Sequence, residues 1–309
     1  MSGVEPVIET QGLSKRFGAR SAVDGVDLVV PAGTAFGFLG PNGAGKTTLI
    51  RTLLGLTRPS AGTVRLLGLP QPQERRRALS RIGAIVEEPR FHPHLTGREN
   101  LKIVAAARDR TAEGRIPEAL ERVGLRDRAD DRVKTYSLGM RQRLGIARCL
   151  LADPALLILD EPMNGLDPAG MLEIRQFVRA FVADGRTVFL SSHLLDEVEK
   201  TCDEVAIVDN GKIVVQGAVG AITGSTAALL VTVDDVALAR RLIGEHAPAA
   251  TVRDDGAGTL RLELGDALLP ADVNRILVTG GVAVSRLEPT HASLEETFLA
   301  ITSRLGGEA

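Results

Sequence analysis

The residues with the clearest chemical content form one short string, Gly40-Pro41-Asn42-Gly43-Ala44-Gly45-Lys46-Thr47-Thr48. Its Gly-x-x-x-x-Gly-Lys-Thr spacing lets backbone N–H groups turn inward around phosphate oxygens, and a helix opening there adds its positive dipole end. Lys46 can then reach the β and γ phosphates of a nucleotide, and the Thr47 hydroxyl can hold Mg²⁺. A second string, Leu156-Leu157-Ile158-Leu159-Asp160-Glu161-Pro162, is an apolar run ending in two adjacent carboxylates. Asp160 can hold the hydration shell of Mg²⁺ while Glu161 polarises an attacking water, the division of labour that ATP hydrolysis requires. Alone, an apolar strand ending in Asp-Glu is usually only a strand edge. Beside a phosphate loop it reads as the second half of a site.

These residues need strands that end at one edge. Short apolar β-rich runs alternate with helical patterns through the first two-thirds of the chain, the signature of a mainly parallel sheet covered by helices. The expected strands are Val7–Thr10, Val26–Val30, Ala35–Leu39, Gly62–Leu67, Ile82–Val86, Ala155–Leu159, Thr187–Ser191 and Val205–Val208. Asn210-Gly211 predicts a type I′ hairpin into Lys212–Val215. Between residues 90 and 153 no strand is evident. Thr96 with Glu99 forms a capping box before Leu101–Ala107, and Ser137 can cap a helix running to Leu151. That stretch reads as a helical insertion. Beyond the Gly-rich stretch Gly217–Thr226, the order is strand Ala228–Val233, helix Val236–His246, strands Thr251–Arg253 and Thr259–Leu264, helix Asp272–Thr279 and strand Val282–Leu287. This order suggests a small ferredoxin-like α+β module, followed by a helix capped at Ser293 with Glu296.

The motifs in this order resemble those of the nucleotide-binding subunit of an ABC transporter, over residues 5–217. The implied fold is an α/β P-loop ATPase core, mainly parallel with an antiparallel β portion and a helical insertion, followed by an accessory domain over 225–309. The resemblance places Phe17 of Lys15-Arg16-Phe17-Gly18 against adenine, the competing reading being a core Phe. It places the signature motif at Tyr136-Ser137-Leu138-Gly139-Met140-Arg141-Gln142-Arg143. Ser137 at a helix N-terminus followed by Gly139 makes a second anion site, which one nucleotide on one subunit does not need. The resemblance implies that two subunits meet head to tail, the signature residues Ser137, Leu138, Gly139 and Met140 capping the γ-phosphate held by the partner. Asn164-Gly165-Leu166-Asp167 then corresponds to the D-loop crossing that homodimer interface, and His193, ending Ser191-Ser192-His193, to a switch histidine at the γ-phosphate.

Departures from the pattern narrow the branch. Leu138-Gly139-Met140 replaces the common Gly-Gly-Gln, Met163 stands where Thr or Ser is more usual, and Glu87 occupies the position of a Gln that helps bind Mg²⁺. A carboxylate can ligate the same ion but adds negative charge beside the phosphates. Together these features look most like the bacitracin and lantibiotic-export branch. The implied function is ATP hydrolysis driving export of an antibiotic, peptide or other amphipathic compound through a separate transmembrane permease, from the cytoplasmic face of the membrane. Competing readings are a soluble ABC-type ATPase acting on ribosomes or DNA, and a regulatory or resistance ATPase with weak hydrolysis. The C-terminal module lacks clustered catalytic side chains, so dimer stabilisation or regulation is expected of it, with ligand sensing as the alternative.

Composition bounds these readings. The 309 residues carry 37 Lys+Arg against 39 Asp+Glu, a net charge of −2 that argues against nucleic-acid binding through bulk positive charge. Aromatics make up only 3%, too few for base-stacking platforms or membrane belts. No apolar run approaches the roughly 20 residues of a membrane-spanning helix, and residues 1–10 carry no secretory signal. Cys149 and Cys202 lack metal-site spacing and read as buried thiols. No Asn-Lys-x-Asp string exists to read guanine. Arg75-Arg76-Arg77, with Arg81 and Arg90, is either a solvated face or a contact for the permease, with Phe91–Leu95 supplying an apolar socket. His92 and His94 alone do not make a metal site.

Overall fold

The computed structural model describes residues 5–108, 111–223, 228–264, 269–290 and 293–299. In chain order the elements are β1 (Pro6–Phe17), β2 (Arg20–Pro31), β3 (Ala35–Leu39), α1 (Lys46–Leu53), β4 (Ala61–Leu66), β5 (Leu69–Pro70), α2 (Arg75–Leu79), β6 (Ile82–Ile85), α3 (Gly97–Ala106), α4 (Ile116–Arg122), α5 (Leu138–Leu150), β7 (Leu156–Asp160), α6 (Pro168–Ala183), β8 (Thr187–Ser192), α7 (Leu195–Thr201), β9 (Glu204–Asp209), β10 (Lys212–Ala218) and α8 (Val219–Ile222). A second set follows: β11 (Ala228–Val233), α9 (Val236–His246), β12 (Thr251–Gly256), β13 (Thr259–Glu263), α10 (Pro270–Thr279) and β14 (Val284–Thr290). The chain divides into two compact units, Met1–Val219 and Gly220–Ala309.

In the first unit, β3, β7 and β8 are buried along their whole length. Runs with no polar alternation suit only a sheet covered on both faces, and that is where they lie. The six-stranded sheet has the order β10-β9-β3-β8-β7-β6, parallel except at β10. A second, antiparallel sheet has the order β2-β1-β4-β5. Helix α1 joins the two sheets in one core, where Leu49, Ile50 and Leu53 share a cluster with Ile8 and Leu28 of one sheet and Phe36, Phe38 and Phe189 of the other. The phosphate loop is therefore anchored at both ends in packed structure.

The hairpin β1–β2 is longer than its apolar segments predict. Polar residues continue the pairing, with Lys15 opposite Val23 and Phe17 opposite Arg20. Asn210 and Gly211 both have positive φ, as the type I′ turn requires. Between residues 90 and 153 the described residues form helices and short 3₁₀ turns with only one isolated bridge, Thr96 to Arg132. The capping box starts α3 at Gly97: Glu99 N–H donates to Thr96 Oγ1 at 3.1 Å, and Thr96 N–H donates to Glu99 Oε2 at 2.8 Å. Asn100, buried beneath this turn, donates to the carbonyls of His92 and Thr96 and accepts from His92 N–H.

The second unit is a β-α-β-β-α-β module with sheet order β12-β13-β11-β14, every adjacent pair antiparallel. Hence β11 and β12 run parallel with β13 between them, the split βαβ arrangement of a ferredoxin-like fold. Leu229, Val231 and Val233 of β11 meet Ala239, Ile243, Val273 and Leu277 of the two helices in its core. Ser293 accepts from Glu296 N–H and Glu296 accepts from Ser293 N–H, starting the closing helical segment as expected. The Gly-rich stretch Gly217–Thr226 falls, from residue 224, outside the described residues. Among the described residues no helix is long and apolar enough to cross a membrane.

Candidate nucleotide site

Strands β3, β8 and β7 are neighbours, and their carboxyl ends bring the phosphate loop, Ser191–His193 and Asp160–Glu161 to one edge, the edge where open α/β sheets bind ligands. The loop leaves β3 at Gly40, whose N–H donates to Ser192 O at 3.4 Å. A Cβ at position 40 would stand 2.3 Å from Val208 O, and one at position 45 would stand 2.1 Å from Ala22 O. Gly45 also has φ of 104°, so the loop tolerates only glycine there. The hairpin turn at Gly211 braces the loop from behind: Gly211 N–H donates to Ala44 O at 3.1 Å and Asp24 N–H donates to Gly211 O at 2.9 Å.

Lys46 opens α1 and is 5% exposed. Its Nζ donates to Gly40 O at 2.7 Å and Pro41 O at 3.2 Å, and pairs with Glu161 Oε1 at 3.2 Å. The other Glu161 oxygen, Oε2, accepts from His193 Nδ1 at 2.9 Å, a donor assignment that follows because an ionised carboxylate only accepts. Glu161 is thus held between a cation and an imidazole. It has φ of 49°, a left-handed conformation that a non-glycine residue adopts at a cost of about 1 kcal/mol or more. Asp160, the last residue of β7, is buried, and its Oδ1 accepts from Ser191 Oγ at 2.6 Å.

Lys46, Glu161 and His193 face a cleft of about 600 Å³, while Asp160 is buried next to Glu161 and does not line it. Its lining takes in Phe17, Asn42, Gly43, Gly45, Lys46, Thr47, Thr48, Glu161, Asn164 and His193 from the expected set. Gly40, Pro41 and Ala44 do not line the cleft; Gly40 and Ala44 are buried and Pro41 is exposed. Phe17 is 54% exposed on the cleft, with Lys15 Nζ 4.8 Å from its ring centroid, so it is not a core residue. Arg20 also lines the cleft and donates to Gly43 O at 3.2 Å, which no motif announced. The Thr47 hydroxyl and the Asp160 carboxylate are hard oxygen donors, the kind that holds Mg²⁺ together with phosphate oxygens. No cluster of three metal-ligating side chains occurs among the described residues; an ion completed by substrate phosphates needs none.

Glu87 departs from expectation. It does not line the cleft; it sits at φ of 65° past the end of β6, and its exposed carboxylate pairs with Arg51 near the end of α1.

The signature residues lie apart from the cleft. Ser137 caps α5 by accepting from Met140 N–H at 3.2 Å. The D-loop residues pack beside this helix start: a Cβ on Gly165 would approach Leu138 Cδ2 to 3.2 Å, and one on Gly139 would approach Leu166 Cδ2 to 3.8 Å. Asp167 caps α6 by accepting from Gly170 N–H at 3.1 Å, with Pro168 in the first turn. Asn164 through Leu166 therefore runs from the cleft to the signature helix. Tyr136, which precedes this helix, is buried beside Gly97 at the start of α3, its hydroxyl donating to Arg128 O at 2.6 Å. Both cysteines are free and buried, and burial pushes the Cys149 thiol up to about 11 and the Cys202 thiol higher still.

Residues 23–164 match the profile of the ABC transporter family. An uncharacterised ABC transporter ATP-binding protein of Bacillus subtilis strain 168, YdbJ, is 40% identical over 97% of this chain and 96% of its own. The bacitracin transport ATP-binding protein BcrA of Enterococcus faecalis is 37% identical over 96% of each chain. Among solved structures, an ATP binding subunit of an ABC transporter superposes with a TM-score of 0.62 at 30% identity, covering 70% of this chain and 91% of that one. With the phosphate loop, the paired carboxylates and the sheet that carries them in place, the chain belongs to the ABC transporter ATP-binding proteins, a family that hydrolyses ATP.

Proposed function

We propose that the chain is the motor subunit of an exporter whose membrane-spanning part is a separate polypeptide, working as a homodimer at the cytoplasmic face of the membrane. The carrying observation is that the phosphate cleft and the signature helix start lie apart on one chain, joined by Asn164–Leu166. Two chains head to tail would complete each cleft with the partner's Ser137 and Gly139. In this reading the phosphate loop and Lys46 hold the triphosphate, Phe17 stacks on adenine, and Thr47 with Asp160 holds Mg²⁺. Glu161 takes the proton of the attacking water, and His193 orients Glu161 and the γ-phosphate. ATP closes the dimer, hydrolysis reopens it, and the permease turns that cycle into alternating access.

Likeness to BcrA over nearly the full chain supports an antibiotic, peptide or other amphipathic cargo. The test is co-expression with a candidate membrane protein, sought among those encoded beside this chain, followed by reconstitution into vesicles. Complex formation and ATP-dependent uptake of a fluorescent amphipathic peptide into inverted vesicles support the reading; an ATPase that neither binds nor responds to the membrane protein refutes it. We assign the C-terminal module to dimer stabilisation or regulation. Truncation after Val219 that leaves dimerisation and transport unchanged would remove that role.

A further inference from the structure

Ser191 stands two residues before His193 with no role of its own in the motifs, yet its hydroxyl touches both hydrolytic positions. It is 0% exposed on β8 and stands in register with Asp160 of β7. Its Oγ donates to Asp160 Oδ1 at 2.6 Å and accepts from Glu161 N–H at 3.0 Å. A serine hydroxyl has one proton to give, so these bonds fix its direction: donor toward the carboxylate, acceptor from the amide. With Oδ1 held, the Asp160 carboxylate cannot rotate freely, and Oδ2 is left for a metal's hydration shell. The amide bond secures Glu161 in its left-handed turn, from which its carboxylate reaches Lys46 and His193. The adjacent Ser192 does a different job, its Oγ accepting from Leu194 N–H at 2.9 Å and its carbonyl from Gly40 N–H at 3.4 Å.

We propose that Ser191 is a positioning residue for hydrolysis, its hydroxyl orienting Asp160 toward Mg²⁺ and holding the backbone turn that aims Glu161 at water. This rests on the roles given to Asp160 and Glu161 above. Removing Oγ leaves the buried Asp160 carboxylate without this donor and the Glu161 N–H without its acceptor. The phosphate-loop contacts of ATP are untouched.

The experiment measures ATP affinity, turnover and the Mg²⁺ dependence of turnover for the full chain and for Ser191→Ala, Ser191→Thr, Ser191→Cys and Glu161→Gln, at a temperature where each variant keeps the wild-type circular dichroism. For Ser191→Ala we expect ATP Kd within about twofold of wild type, kcat lowered about 10- to 100-fold, and a Mg²⁺ requirement raised several-fold, as for the loss of a group that orients a metal ligand. Ser191→Thr keeps the hydroxyl and restores most of kcat; Ser191→Cys, a weak donor of similar size, does not, and is read by the same criteria should the alanine variant fail to fold. If Glu161→Gln abolishes turnover while Ser191→Ala stays within twofold of wild type, the inference on Ser191 is overturned alone. It is overturned as well if kcat falls with the Mg²⁺ requirement unchanged and no recovery in Ser191→Thr, since that is a packing defect. If Glu161→Gln itself turns over normally, the underlying assignment of Glu161 fails instead.

Discussion

Phe17→Ala separates nucleotide recognition from folding, because the ring lines the cleft and is exposed. The ring is 54% exposed and is not among the buried core residues, so its removal creates no cavity and should move stability by no more than about 0.5 kcal/mol. Its other contact is Lys15 Nζ at 4.8 Å, an exposed pairing of small worth. Stacking of a base on an aromatic ring contributes about 1–3 kcal/mol. A single ring open to solvent on the cleft rim belongs in the lower half of that range, so the ATP Kd should rise about 5- to 30-fold. Isothermal titration calorimetry with ATP and, separately, with inorganic triphosphate gives the decisive contrast. Triphosphate affinity should stay within twofold, because the phosphate loop and Lys46 are unchanged, and Phe17→Tyr should bind ATP as wild type does. An unchanged ATP Kd, or an equal loss for ATP and triphosphate, would refute the assignment of Phe17 to the base.

Three further expectations rest on separate parts of the molecule. Gly45→Ala would place a methyl group 2.1 Å from Ala22 O at φ of 104°, so nucleotide binding should be lost and the urea midpoint should fall by the equivalent of more than about 1 kcal/mol; a variant that binds ATP normally would contradict the loop geometry. The Cys149 thiol, pushed up to about 11 by burial, is ionised in only about one chain in a thousand at pH 8, and the Cys202 thiol less. Ellman's reagent should therefore label neither thiol in the native protein and both after unfolding, with any native reactivity rising with pH. On α2, Arg76 and Arg77 are exposed, whereas Arg75 packs against Gly55; reversing Arg76 and Arg77 to Glu should spare ATP affinity and lower co-purification with the permease, and an unchanged yield would assign them to a solvated face.

The legible parts of the fold are those where local pattern and tertiary need agree. Ala35–Leu39 and the run 188–190 within β8 are apolar without alternation because both faces of their sheet are covered, so they stand out as strands. The hairpin arm from Gln11 to Phe17 and from Arg20 to Gly25 is not legible in the same way. Its polar residues are held by pairing and by the bulges between Thr10 and Lys15, not by burial of an alternating face. The phosphate loop can be read residue by residue since its spacing is its mechanism. Arg20 and Ser191 carry no such spacing. They reach the site only because β2 folds over the loop and β8 lies beside β7, and a serine in an apolar strand looks like any other polar interruption. Glu87 is the opposite case: motif order singles it out, whereas its pairing with Arg51 depends on where α1 ends.

The role proposed for Glu161, set between Lys46 and His193, is activation of the water that hydrolyses ATP. It is tested most directly by phosphate release from purified wild type and Glu161→Gln under saturating Mg²⁺ and ATP, with ATP binding and sedimentation measured on the same samples. The exchange keeps the shape of the side chain and removes its ability to accept a proton, which should lower turnover by about 10²- to 10⁴-fold while ATP binding persists and an ATP-bound dimer accumulates. Turnover within a few-fold of wild type, with no dimer trapped by ATP, would contradict the account.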